Sequence, residues 1–175
     1  LCSLCWSAGA SQPAEQRGKA PAVNTSLQNA ELFYEVLLGE LNATAGDPGT
    51  AYSLVLDAAR KAQDEALYRR AADIALQSRS GDAALVATRA WKQAFPQSRD
   101  ANRYELQILL ALGRIAETAG PLQQELAHAG LLAKSVALST IPQLYARAPD
   151  RKLAADVVEQ ALAAELANPE TAAAA

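Results

Sequence analysis

The chain has 175 residues, of which 41 are Ala and 25 Leu against only seven Val and four Ile; half is hydrophobic and one fifth charged. So few β-branched and aromatic residues exclude a sheet-rich fold, and so much apolar content excludes a disordered chain. A net charge of −3 with no basic run leaves nothing to neutralise a row of phosphates, which argues against nucleic acid as a partner.

Residues 1–10, Leu-Cys-Ser-Leu-Cys-Trp-Ser-Ala-Gly-Ala, are uncharged and end in the small-x-small pattern Ala8-Gly9-Ala10. They read as the remnant of an export signal, which predicts a periplasmic protein. Cleavage after Ala10 removes Cys2 and Cys5, leaving a mature chain without cysteine, as suits an oxidising compartment. Their C-x-x-C spacing lacks the strand-turn-helix context of a redox site and has no second pair to complete a zinc site. Lipidation of Cys5, with outer-membrane association, is the alternative processing. Residues 11–26 mix Gln, Pro, Glu, Arg, Gly and Lys without periodicity and read as a flexible linker. No stretch approaches the roughly 20 apolar residues that span a bilayer.

From about Leu27 the texture predicts helices of roughly 12 to 18 residues separated by short turns, one domain over 27–167. The first, Gln28 to Ala45, puts Phe33, Val36, Leu37 and Leu41 on one apolar face. Gly46-Asp47 stops it, and Pro48 opens a second helix that runs to Gln63. A third, Asp64 to Ser78, has Asp64 as its N-cap and Leu67, Ala71, Ile74 and Ala75 inward. The fourth, Asp82 to Ala94, is ended by Pro96, and the fifth, Asp100 to Leu112, closes at Gly113. Gly120-Pro121 is expected to split or restart the sixth, whose apolar face is Leu122 and Leu126. The seventh, Leu131 to Arg147, carries Pro142 and should kink there. The eighth runs from Asp150 to Ala167, and 168–175 reads as the tail of a cut chain.

Three even-numbered helices share a small-large-small or all-small triplet: Ala51-Val55-Ala58, Ala83-Ala87-Ala90 and Ala154-Val158-Ala161. The step from Ala83 to Ala154 is close to twice the step from Ala51 to Ala83, and a turn with Asp47, Asp82 or Asp150 precedes each triplet. Paired helices at a roughly 32-to-36-residue period mark an all-α solenoid, here of about four antiparallel pairs. The chain resembles the tetratricopeptide repeat family. With a repeat starting at Leu32, Leu38-Gly39 falls at the family's paired large-small site, and Ala51, Val55 and Ala58 at its small, large and small sites. Glu35 and Asn42 stand where the family usually has aromatics.

The standard catalytic constellations are missing: no phosphate loop, no nucleotide-binding glycine pattern, no H-E-x-x-H, no G-x-S-x-G. His128 is the only histidine, sits near a helix end before Gly130, and reads as a cap or surface residue. The chain is therefore expected to be no enzyme, with no cofactor and no metal. The resemblance implies a concave groove lined by the first helix of each pair, with Phe33, Val36, Glu40, Tyr68, Ala72, Asn102 and Leu109 facing it. That groove would hold a protein or peptide partner. The Ala-rich texture and leader are similar to the N-terminal part of periplasmic or outer-membrane-associated tetratricopeptide proteins of Gram-negative bacteria. That likeness implies a scaffold or adaptor for a periplasmic protease or an envelope-assembly protein. Two other readings stay open: a spacer or capping module of a larger solenoid without its own ligand, and the helical array of a larger cell-wall enzyme such as a lytic transglycosylase.

Overall fold

The computed structural model describes residues 22–129, 131–146 and 148–166. The export remnant with Cys2 and Cys5, most of the linker and the alanine tail lie outside them. Among the described residues every α or β element is an α-helix, as the Ala and Leu content dictates. They are α1 (Ala22–Ala45), α2 (Pro48–Ala62), α3 (Glu65–Gln77), α4 (Gly81–Ala94), α5 (Arg99–Ala111), α6 (Ala119–His128), α7 (Leu131–Leu144) and α8 (Arg151–Leu166), with a 3-10 turn at Ile115–Thr118.

Capping chemistry sets most of the boundaries. Asp47 accepts from the Thr50 N–H at 3.1 Å with Pro48 behind it, Asp64 from Ala66 at 2.8 Å, and Ser98 from Ala101 at 3.3 Å. Gly46 and Gly113 take φ of +89° and +70°, a region closed to most side chains, where α1 and α5 turn away. The start of α1 and the end of α7, at Leu144 rather than Arg147, differ from expectation. α1 begins at Ala22 rather than Gln28, so the linker expected over 11–26 gives way to helix from 22 onward. Residues 22–27 carry no apolar period, and a helix needs none where it only extends one already nucleated. At Gly120-Pro121 the chain restarts, the second of the two expected outcomes: α6 begins at Ala119 with Pro121 in its first turn, where a missing N–H costs nothing because no partner exists for it. The break falls upstream, at the 3-10 turn. α7 continues through Pro142 and ends two residues later.

Helices α1 to α6 pack in chain order, each against the next, and α6 then packs against α8. The step from the start of α2 at Pro48 to that of α4 at Gly81 nearly equals the step from α3 at Glu65 to α5 at Arg99. Bonds between alternate helices keep a similar interval. The Tyr52 hydroxyl donates to the Ala83 carbonyl (3.0 Å), Arg70 to Glu40, and the Tyr104 hydroxyl to Asp73 (3.1 Å). The architecture is thus repeat-like over α1–α5. Beyond it, Leu138 and Ile141 of α7 and Tyr145 just after it join Leu106, Ile115, Leu122 and the α8 residues Val157 and Ala161 in a separate apolar cluster.

The small-residue triplets fare unequally. Ala51, Val55 and Ala58 are wholly buried between α1 and α3. In α4 the buried set is Ala84, Leu85, Ala87, Thr88 and Trp91, leaving Ala83 and Ala90 only half-buried. Ala84, Thr88 and Trp91 stand as far into α4 as Ala51, Val55 and Ala58 stand into α2, so the register sits one position later than the alanines suggest. Trp91 decides it: its ring meets Tyr104 edge-on at 5.6 Å and its indole N–H donates to Glu65 at 3.0 Å. Of the third triplet, Ala154 and Ala161 are buried and Val158 is half-buried.

Candidate functional site

The first helices of successive pairs, α1, α3 and α5, are stitched side by side. The Arg70 guanidinium donates twice to the Glu40 carboxylate, at 2.7 and 2.6 Å, joining α3 to α1. Asp73 accepts from the Tyr104 hydroxyl, joining α3 to α5. The Arg70 hydrogen bond holds the Glu40 carboxyl below its ordinary value of 4.5 against a smaller opposing effect of burial. Burial first, and Asp73 second, push the Tyr104 hydroxyl up. Because Glu40 titrates lower folded than unfolded, its pair stabilises the protein fully above pH 4.5 and the gain is lost as pH falls through the folded value. The pair is half-exposed, so Arg70→Gln should cost under about 1 kcal/mol in urea unfolding at pH 7. That difference should shrink as pH falls below 4.5, and a cost unchanged by pH would show that Glu40 is not its source.

The seven residues expected to face a groove are not brought together. Phe33 is 69% exposed, while Val36 and Glu40 are half-buried, Glu40 with its carboxylate committed to Arg70. Tyr68, Ala72, Asn102 and Leu109 are core residues in this structure, none more than 2% exposed. Tyr68 packs its ring edge-on to Phe95 at 6.2 Å, because α3 turns its largest side chain toward α4. Asn102 is a buried polar joint. Its amide donates to the Pro121 carbonyl (2.9 Å) and to Glu125 (3.1 Å), and its carbonyl accepts from the Lys92 ammonium (2.9 Å). Lys92 also binds Glu105, which Arg89 reaches at 3.3 Å, and Arg89 continues to Glu117. Arg89 and then Arg114 hold the Glu117 carboxyl below its usual range. This network ties α4, α5 and α6 together with every buried donor answered, the condition under which buried polar groups hold a single geometry.

The more prominent surface is one that the apolar pattern of α1 points inward. Phe33, Leu37 and Leu41 lie at i, i+4 and i+8, and with Tyr34 they form an uncovered apolar row at 69, 42, 54 and 59% exposure. At about 100° per residue this row lies opposite the stripe of Leu32, Glu35 and Gly39 that meets α2. The cause is Gly39, the only buried position among residues 29–50. A Cβ there would lie 2.6 Å from Val55 Cγ2, so α1 rotates its glycine into the closest contact and leaves its bulkier residues outside. The sequence signal for this is the Leu38-Gly39 pair.

Among the described residues no group of three His, Cys, Asp or Glu could hold a metal ion, and no helix is long and apolar enough to cross a membrane. His128 ends α6 as an exposed residue and donates from Nδ1 to the Gln124 carbonyl one turn back at 2.8 Å. The chain matches no protein-family model and no curated protein.

Proposed function

We propose that the chain is a tetratricopeptide-like α-solenoid that serves as a non-catalytic scaffold or adaptor in the bacterial periplasm. The observation that carries this is the apolar row Phe33, Leu37 and Leu41 along α1, supported by the recurrence of paired helices at a nearly constant interval over α1–α5. Large apolar side chains left in water at helical spacing are costly to a monomer and suit the apolar face of a partner helix packed ridge into groove. The partner class implied by the family resemblance is a periplasmic protease or an envelope-assembly protein. The export reading of Ala8-Gly9-Ala10 supports the compartment.

The test is capture from a periplasmic extract with identification by mass spectrometry, wild type against Phe33→Asp and Leu37→Asp. Both variants should keep wild-type stability within about 0.5 kcal/mol, since the side chains are exposed, and both should lose the captured partner. Partners retained by both variants would place the binding surface elsewhere. A wild-type chain that captures nothing would favour the spacer or capping module.

A further inference from the structure

A second feature, away from the α1 row, is a cleft between α7 and α8. It has a volume of about 390 Å³ and is lined by Ile141 and Pro142 from α7, by Tyr145 in the turn after it, and by Arg151, Ala155 and Val158 from α8, among others. That volume is in the range of sites for small organic ligands, roughly 300–1,000 Å³.

Its polar groups are few and only one is free. The Tyr145 hydroxyl is already bonded to the Thr118 hydroxyl at 2.7 Å, in the buried cluster behind the cleft. Asp150, just outside, has its Oδ1 occupied by the backbone N–H groups of Lys152 (2.9 Å) and Leu153 (3.0 Å), which it caps. Arg151, the first residue of α8, has no side-chain hydrogen bond or ion pair with any described residue. An unengaged guanidinium thus stands at the rim of an apolar cleft, at the positive end of a 16-residue helix. The small side chains of Ala154 and Ala155 leave the space open, and Ile141, Pro142 and Val158 supply walls without donors or acceptors.

We propose that this cleft binds a small amphiphile with a carboxylate head and an unbranched apolar tail, of the chemistry of a medium-chain fatty acid. Arg151 takes the carboxylate through two parallel N–H···O bonds, and the tail lies between Pro142 and Val158. The site is independent of the α1 row, so either can fail without the other.

Dodecanoate, kept below the concentration at which it forms micelles, is the probe, titrated by calorimetry into the purified protein. Saturable one-to-one binding is expected. Arg151→Gln should weaken it about fivefold, the range of an exposed charge-assisted pair, and Ala155→Trp, which fills the cleft, should abolish it. Dodecanol should bind the wild type and Arg151→Gln equally. Circular dichroism checks that both variants keep their helices; if Ala155→Trp unfolds, chemical-shift changes at Ile141 and Val158 on titrating the wild type locate the ligand instead. No saturable binding, equal binding by wild type and Arg151→Gln, or shift changes confined to other residues would each overturn the proposal. So would binding of an apolar tetrapeptide carboxylate but not of dodecanoate.

Discussion

Replacing Trp91 by Ala should lower the free energy of unfolding by about 3–5 kcal/mol, the largest effect expected of any single truncation in this chain. Trp91 is 2% exposed and is the largest fully buried side chain among the described residues. It reaches three elements at once: it belongs to α4, meets Tyr104 of α5 edge-on, and donates to Glu65 of α3. Truncation leaves a cavity that the flanking helix backbones cannot close, so the lost transfer energy and the cavity cost add. Trp91→Phe should recover most of this, with a residual loss of about 1 kcal/mol, because Glu65 keeps its bond from the Ser98 hydroxyl at 2.7 Å and stands exposed to water. Urea unfolding followed by circular dichroism measures both. A loss below about 1 kcal/mol in Trp91→Ala would mean that the indole does not anchor α4 to its two neighbours.

Gly39→Leu should cost a comparable amount, about 3 kcal/mol, by the opposite mechanism of too much volume. The more informative variant is Gly39→Ala. In a helix interior that change alone should stabilise by about 1 kcal/mol. Here the new methyl would lie 2.6 Å from Val55 Cγ2 and 3.5 Å from the Ala51 carbonyl. Val55 is wholly buried, and a helical valine has essentially one rotamer, so it cannot turn aside. A net loss of about 1–2 kcal/mol is therefore expected in Gly39→Ala. Adding Val55→Ala should show a favourable coupling between the two sites of about 1 kcal/mol in a double-mutant cycle. Stabilisation by Gly39→Ala alone would show that the two helices do not approach as closely as the structure has them.

Much of the fold is legible in the residues. Asp47-Pro48, Asp64 and Gly113 act locally, through a cap, a missing N–H or a positive φ, and each stands where its chemistry predicts. Pro121 shows the limit of that logic. Its effect depends on whether it falls in a first turn or a helix interior, and the 3-10 turn at Ile115–Thr118 places it in the former. The candidate site is less legible. Position on first helices suggests a surface role for Tyr68, Asn102 and Leu109, yet all three are buried. A 3.6-residue period has no absolute zero of angle, so an apolar stripe alone does not say which arc of a helix faces a neighbour when several arcs carry Ala or Leu.

Composition and turn chemistry were enough to decide that the described residues are helical, with paired helices at a nearly constant interval over α1–α5, because propensity and capping act within a few residues of themselves. Rotation was decided elsewhere. Gly39 against Val55 set the face of α1 and left Phe33, Leu37 and Leu41 in water. Trp91 set α4 one position off the alanine pattern, and the Lys92–Asn102–Glu105 network closed what looked like an open groove position. Each of these depends on the volume and charge that a distant segment presents at one contact, and that is known only once the helices are packed.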